Sequence, residues 1–213
     1  MQKILLLISS IFLVFTINSN AQFSDGFESG SITPNWTSIG GSYTVQAATT
    51  TDPAVGSYCL QQTGSGGHYN GLKSSFTAFQ PSEISYYIKT TDNSVANGYV
   101  VIGDNNSSSN NGIVFSYFNP NGTLLIYANS ITNYSIPASN NTWYQIELRN
   151  IDWTNKEFDL YVDGTLAQTD FPFRSTTSTG VSEIHAYNLS TATAYWDEFE
   201  LSSAPSCPIP TAD

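Results

Sequence analysis

Residues 157–164 read Glu157-Phe158-Asp159-Leu160-Tyr161-Val162-Asp163-Gly164, and the fold class follows from this octapeptide. Apolar and polar side chains alternate with a period of two, which sets apolar groups on one face of an extended strand and polar groups on the other. The run stops at Asp163-Gly164, a pair that accepts the positive φ a two-residue hairpin turn demands. The preceding segment obeys the same rule. From Trp143 to Ile151, Tyr144, Ile146 and Leu148 face inward while Gln145, Glu147 and Arg149 face water.

The pattern extends in both directions. Strand-like runs recur at Tyr43–Ala47, Ser57–Gln62, Glu83–Thr91, Gly98–Gly103, Ile113–Phe118, Thr123–Ala128, Val181–Tyr187 and Tyr195–Leu201. No window offers a helical stripe. Asn119-Pro120-Asn121-Gly122 supplies a turn between two of the runs, and the polar tract Asp104–Asn111 reads as a solvated connection within the domain. Around ten short strands with such spacing predict an all-β fold, a sandwich of two antiparallel sheets.

The ends of the chain differ from its body. Lys3, the uncharged stretch Ile4–Ile17 and the run Asn18-Ser19-Asn20-Ala21 match an export signal cleaved after Ala21. The stretch is too short for a transmembrane span of about 20 apolar residues, so the mature chain is expected to be secreted or displayed at the cell surface, with no membrane insertion. Residues 22–202 then form one domain, and 203–213, rich in Pro and Ser, form a linker-like tail. An oxidising compartment permits a disulfide between Cys59 and Cys207, the only cysteines; two separate thiols are the alternative.

Charge narrows the partners. Six Lys and Arg face 17 Asp and Glu, a formal net charge of −11. Nucleic acid is thereby excluded, because a phosphate backbone calls for clustered cations. An anionic membrane surface is disfavoured for the same reason. With 11% charged and 14% aromatic residues, the chain is no disordered acidic segment either.

Two motifs flank the domain: Phe23-Ser24-Asp25-Gly26-Phe27-Glu28-Ser29-Gly30, followed by Trp36, and Tyr195-Trp196-Asp197-Glu198-Phe199-Glu200-Leu201. Between them stand Gly56-Ser57-Tyr58-Cys59-Leu60, Trp143–Leu148 and Phe158–Gly164. Together these resemble the concanavalin A-like (laminin G, MAM) jelly rolls and the calcium-containing jelly-roll carbohydrate-binding modules. The resemblance spans Phe23 to Leu201 and implies a jelly roll whose first and last strands pair. It also implies a structural calcium ion, held by the Gly26 carbonyl, Glu28, the Gly56 or Ser57 carbonyl and Asp197. Chemistry agrees, since facing carboxylates repel unless a cation lies between them and calcium takes hard oxygen ligands. On strand alternation Asp197 shares the face of Phe199 and Leu201 and points inward. The alternative is that Glu28 accepts backbone N–H groups and Asp197 sits at a sheet edge.

Catalysis is not expected. Laminarinase-type jelly rolls carry three acids as Glu-x-Asp-x-x-Glu, a string this chain lacks. Glu198 and Glu200 share a face, but one directed to solvent. His68 and His185 have no metal-ligand spacing, and Gly64-Ser65-Gly66-Gly67 precedes neither a helix nor a Lys-Ser/Thr pair, so it reads as a flexible turn. The aromatic excess suits saccharide stacking instead. Trp153, in the turn Asn150–Lys156 where a ring has less to pack against, Tyr69, His68 beside it, and Tyr134 are the candidate ligand-binding residues, and packing of each ring against its own loop is the alternative. The expected function is a secreted non-catalytic module that binds a polysaccharide or glycan. The alternative is a structural or cell-adhesion sandwich whose partner is a cell-surface protein, and a weaker alternative is a glycoside hydrolase-like enzyme.

Overall fold

The computed structural model describes residues 21–104, 112–128 and 133–203. Most of the export-signal reading, the bulk of the Asp104–Asn111 tract, and the tail beyond Ser203 with Cys207 lie outside the described residues.

Among the described residues fifteen strands, numbered in chain order, form two antiparallel sheets. The first sheet runs β13 (Thr165–Pro172), β12 (Glu157–Val162), β11 (Tyr144–Asp152), β6 (Glu83–Thr90), β15 (Thr193–Ser202), β4 (Cys59–Ser65) and β3 (Ser42–Thr49), with β1 (Ala21–Asp25) also paired to β15. The second runs β10 (Asn133–Pro137), β9 (Thr123–Tyr127), β8 (Gly112–Asn119), β7 (Asn97–Gly103), β14 (Val181–Tyr187), β5 (Leu72–Phe79) and β2 (Thr37–Ser38). This is the two-sheet sandwich that the alternation predicts. Among the described residues no helix is long and apolar enough to cross a membrane.

One core fills the space between the sheets. Ile84, Tyr86, Ile88, Ile146, Leu148, Phe199 and Leu201 of the first sheet meet Val100, Ile102, Val114, Phe118, Ile126 and Ile184 of the second. The turns behave as their residues demand: Asp163 and Gly164 have φ of 49° and 72°, and Gly122 N–H donates to Asn119 C=O at 3.0 Å. The alternation missed β1, β2, β5, β10 and β13. β13 is an edge strand with six of its eight residues exposed or half-exposed in an unbroken run, so it carries little apolar signal.

One expectation about β15 is corrected. Asp197 pairs with Tyr87 and Glu200 with Ser85, so Glu198 and Phe199 together oppose Tyr86. This is a β-bulge, and Glu198 takes a φ of 45° within it. The extra residue resets the alternation. Phe199 and Leu201 face the core, while Asp197 lies on the outer face with Tyr87 and is nonetheless 0% exposed, because the loop 50–58 covers it.

Candidate functional site

The outer face of the second sheet carries the most organised side-chain array. β7 and β8 are apolar on both faces, so burying Val100, Ile102 and Val114 turns Tyr99, Val101, Phe115 and Tyr117 outward. Register then aligns the rings: Tyr187 pairs with Tyr99, and Phe115 with Tyr127. Four tyrosines from four adjacent strands stack in a row. Centroid separations are 4.7 Å for Tyr187–Tyr99, 4.5 Å for Tyr99–Tyr117 and 6.0 Å for Tyr117–Tyr127, with interplanar angles of 11°, 5° and 9°. Tyr187 and Tyr99 are 0% and 3% exposed, so of the row only Tyr117 and Tyr127, both half-buried, reach the surface. Burial pushes the Tyr99, Tyr117 and Tyr187 phenols up, Tyr117 to about 12, so these hydroxyls keep their protons at neutral pH.

Two loops complete a cleft of about 290 Å³ lined by His68, Tyr99, Phe115, Tyr117, Tyr127 and Arg174. Arg174 leaves the end of β13 and crosses to the second sheet, where its N–H donates to Ile113 C=O and that of Ser175 to Gly112 C=O, each at 3.0 Å. Its guanidinium carbon rests 4.8 Å from the Phe115 ring centroid and 4.9 Å from that of Tyr127. His68 comes from the loop between β4 and β5, and its Nδ1 lies 2.7 Å from the Tyr187 hydroxyl. Burial, then the Arg174 charge, hold the His68 imidazole below its ordinary 6.5. Backbone hydrogen bonds tie the loop to its neighbours. Gly66 N–H donates to Asn188 C=O and Gly71 N–H to Gly40 C=O, both at 3.0 Å. Gly71 has a φ of +119°, and a Cβ there would stand 2.6 Å from the Ala186 carbonyl oxygen.

His185 and Glu183 share this outer face of β14. His185 Nε2 lies 2.8 Å from Asn70 C=O, and Glu183, 4% exposed, pairs with Lys73 at 3.1 Å.

The residues expected to ligate calcium gather elsewhere, around loop 50–58 on the outer side of the first sheet. Glu28 accepts the N–H groups of Ser57 and Tyr58 at 3.0 and 2.9 Å. Asp197 accepts those of Ala54, Val55 and Glu198 at 2.9, 3.1 and 2.9 Å. Burial raises the Asp197 carboxyl to about 6. The Glu198 carboxylate lies against Gly26, where a Cβ would collide with it, and the Glu28 carboxylate lies 2.5 Å from where a Cβ at Gly56 would stand. Glu198 is pushed up by burial and then by the charges of Glu28, Glu200 and Asp25. Among the described residues no set of three or more acidic, His or Cys side chains converges as metal ligands. Glu28 thus accepts backbone N–H groups, the alternative to a cation that the sequence left open, and Asp197 does the same. The same loop is anchored by Lys89, 2% exposed, which donates to Asp52 Oδ2 at 2.8 Å and lies 4.5 Å from Trp143 and 4.4 Å from Tyr195.

The predicted saccharide-binding residues are dispersed. His68 lines the cleft, and Tyr69, 73% exposed, follows it in the loop. Tyr134 on β10 packs half-buried against the main core. Trp153 also packs: its Nε1 donates to Pro81 C=O at 2.8 Å and its ring meets Phe173 edge-on at 5.1 Å, the packing that the sequence left open beside ligand binding. Cys59 is buried with its Sγ 3.7 Å from Thr51 C=O, and burial followed by the Asp197 charge raises its thiol to about 12.

No family model matches the chain, and no curated protein matches it. Solved structures do. A sialidase shares 15% identity with a TM-score of 0.65 over 87% of this chain, which spans 19% of the sialidase. A laminarinase from Flavobacterium sp. UMI-01 shares 13% identity with a TM-score of 0.58, covering 86% of this chain and 100% of the enzyme. An endo-β-1,4-glucuronan lyase from the fungus Trichoderma reesei shares 10% identity with a TM-score of 0.56, covering 86% and 96%. At such identities the likeness establishes the fold alone, a jelly-roll sandwich of two antiparallel sheets. It also corrects the expectation that the chain is no enzyme. Enzymes are built on this same sandwich, so the missing Glu-x-Asp-x-x-Glu string does not separate the chain from them.

Proposed function

We propose that the chain is a secreted carbohydrate-active jelly roll that holds a saccharide chain in the cleft of the second sheet. The observation that carries this reading is the tyrosine row, flanked by His68 and Arg174. Tyr117 and Tyr127 reach the surface of the cleft, where their hydroxyls suit a ligand dense in hydroxyl groups and their ring edges give its C–H faces apolar contact. The solved structures of similar fold include proteins titled as a sialidase, a laminarinase and a glucuronan lyase, which supports a saccharide ligand. The test is affinity electrophoresis of the chain through gels containing polysaccharides. Retardation by at least one polymer is expected, and Tyr117→Ala is expected to abolish most of it. Mobility unchanged in every gel would sink the reading. Shortening of the retained polymer would assign turnover to the same cleft.

A structural calcium ion belongs to this proposal. Glu28 and Asp197, with the carbonyls of Gly26 and of Gly56 or Ser57, would hold it, and the ion would relieve the repulsion between the acids. Thermal unfolding with and without excess chelator checks it. An unchanged midpoint counts against the ion.

A further inference from the structure

We propose that the saccharide taken by the cleft is acidic, bearing carboxylate or sulfate groups, and that Arg174 is the residue that meets its charge. The inference rests on the cleft reading above and adds the ligand class to it.

The first observation is where the charges lie. The chain carries 17 Asp and Glu, yet strands of the first sheet and their turns bear Glu83, Glu147, Asp159, Asp163, Glu198 and Glu200. On the outer face of the second sheet, Glu183 is paired with Lys73. The residues lining the cleft include a guanidinium and an imidazole and no carboxylate. The overall charge of −11 therefore says nothing about the field inside the cleft. At physiological ionic strength charges farther away than about 8 Å are largely screened, so an anion in the cleft responds first to Arg174.

The second observation is how Arg174 is held. Backbone hydrogen bonds from Arg174 and Ser175 to the start of β8 fix the segment, and the rings of Phe115 and Tyr127 fix the guanidinium. Burial lowers its pKa, and its charge in turn helps to lower that of His68. Its guanidinium lines the cleft beside those rings. A neutral sugar offers it neutral hydrogen bonds. A carboxylate or sulfate offers charge-assisted bonds about twice as strong as neutral ones, which the forked guanidinium can donate to oxygens in pairs.

The test measures binding of the full chain to polygalacturonate, to a sulfated galactan and to neutral laminarin. Retention on one or both acidic polymers is expected, and which of the two binds tells carboxylate from sulfate. Arg174→Gln is expected to weaken that retention about tenfold or more, and Arg174→Lys to recover part of it. Because a variant can fail through misfolding, wild-type protein is also challenged with galacturonate and with galactose as competitors. Displacement by galacturonate alone supports a carboxylate ligand, and resistance to both monosaccharides with binding confined to the sulfated galactan supports a sulfate one. Tight binding of laminarin, unaltered by Arg174→Gln, would overturn the acidic class while leaving the cleft reading intact. Failure to bind any of the three polymers would overturn both.

Discussion

Tyr99 of β7 and Tyr117 of β8 stack with ring centroids 4.5 Å apart and planes 5° from parallel, on the face of the second sheet that points away from the core. The contact joins two adjacent strands through side chains that the main core does not use. It is the centre of the four-ring row, and changes there separate packing from recognition. Tyr99, 3% exposed, is covered on both ring faces. Tyr99→Ala is expected to lower unfolding free energy by about 3 kcal/mol, and Tyr99→Phe by about 1 kcal/mol or less, in urea titrations.

Gly71 is expected to tolerate no side chain. At φ +119° an alanine is strained, and its Cβ would meet the Ala186 carbonyl and Tyr187, neither of which moves without disturbing β14. Gly71→Ala should cost about 1–3 kcal/mol, checked by thermal unfolding, and should also weaken polysaccharide retention because the loop delivers His68 to the cleft.

His68 should make the fold sensitive to mild acid. Its folded pKa lies below the ordinary 6.5, so the unfolded chain takes up the proton first. The stability it contributes is complete above about pH 6.5 and is lost as pH falls below that value. Between about pH 7.5 and about pH 5, the wild-type melting temperature should fall further than that of His68→Gln. Parallel profiles for the two proteins would contradict this.

Trp153 should matter for stability and not for ligand. Trp153→Ala removes the hydrogen bond to Pro81 and the contact with Phe173, at a cost of about 3 kcal/mol. Its retention in polysaccharide gels should match wild type at temperatures where both are folded.

The hairpins were the most legible part of the molecule. Phe158–Gly164 and Trp143–Ile151 announce themselves because each has one wet and one dry face, and Asp163-Gly164 accepts the required φ. The calcium candidates were legible as motifs, but the environment of Asp197 was not: one inserted residue at Glu198 shifts every later side chain to the other face, and nothing local in Trp196-Asp197-Glu198-Phe199 reports it. The tyrosine row was hidden for a different reason. Along Tyr99-Val100-Val101-Ile102 both faces are apolar, so a period of two cannot say which one looks at the core.

The sequence by itself determined the class of the fold and the tight turns, because these depend on neighbours a few residues apart. Only the tertiary structure decided that Tyr99, Tyr117, Tyr127 and Tyr187 form one row with His68 and Arg174 beside it. That row depends on β14 lying next to β7, and on a segment crossing from the edge of one sheet to the other. Strand order is set by how the whole core closes, through contacts between residues far apart in the chain, and no local pattern encodes it.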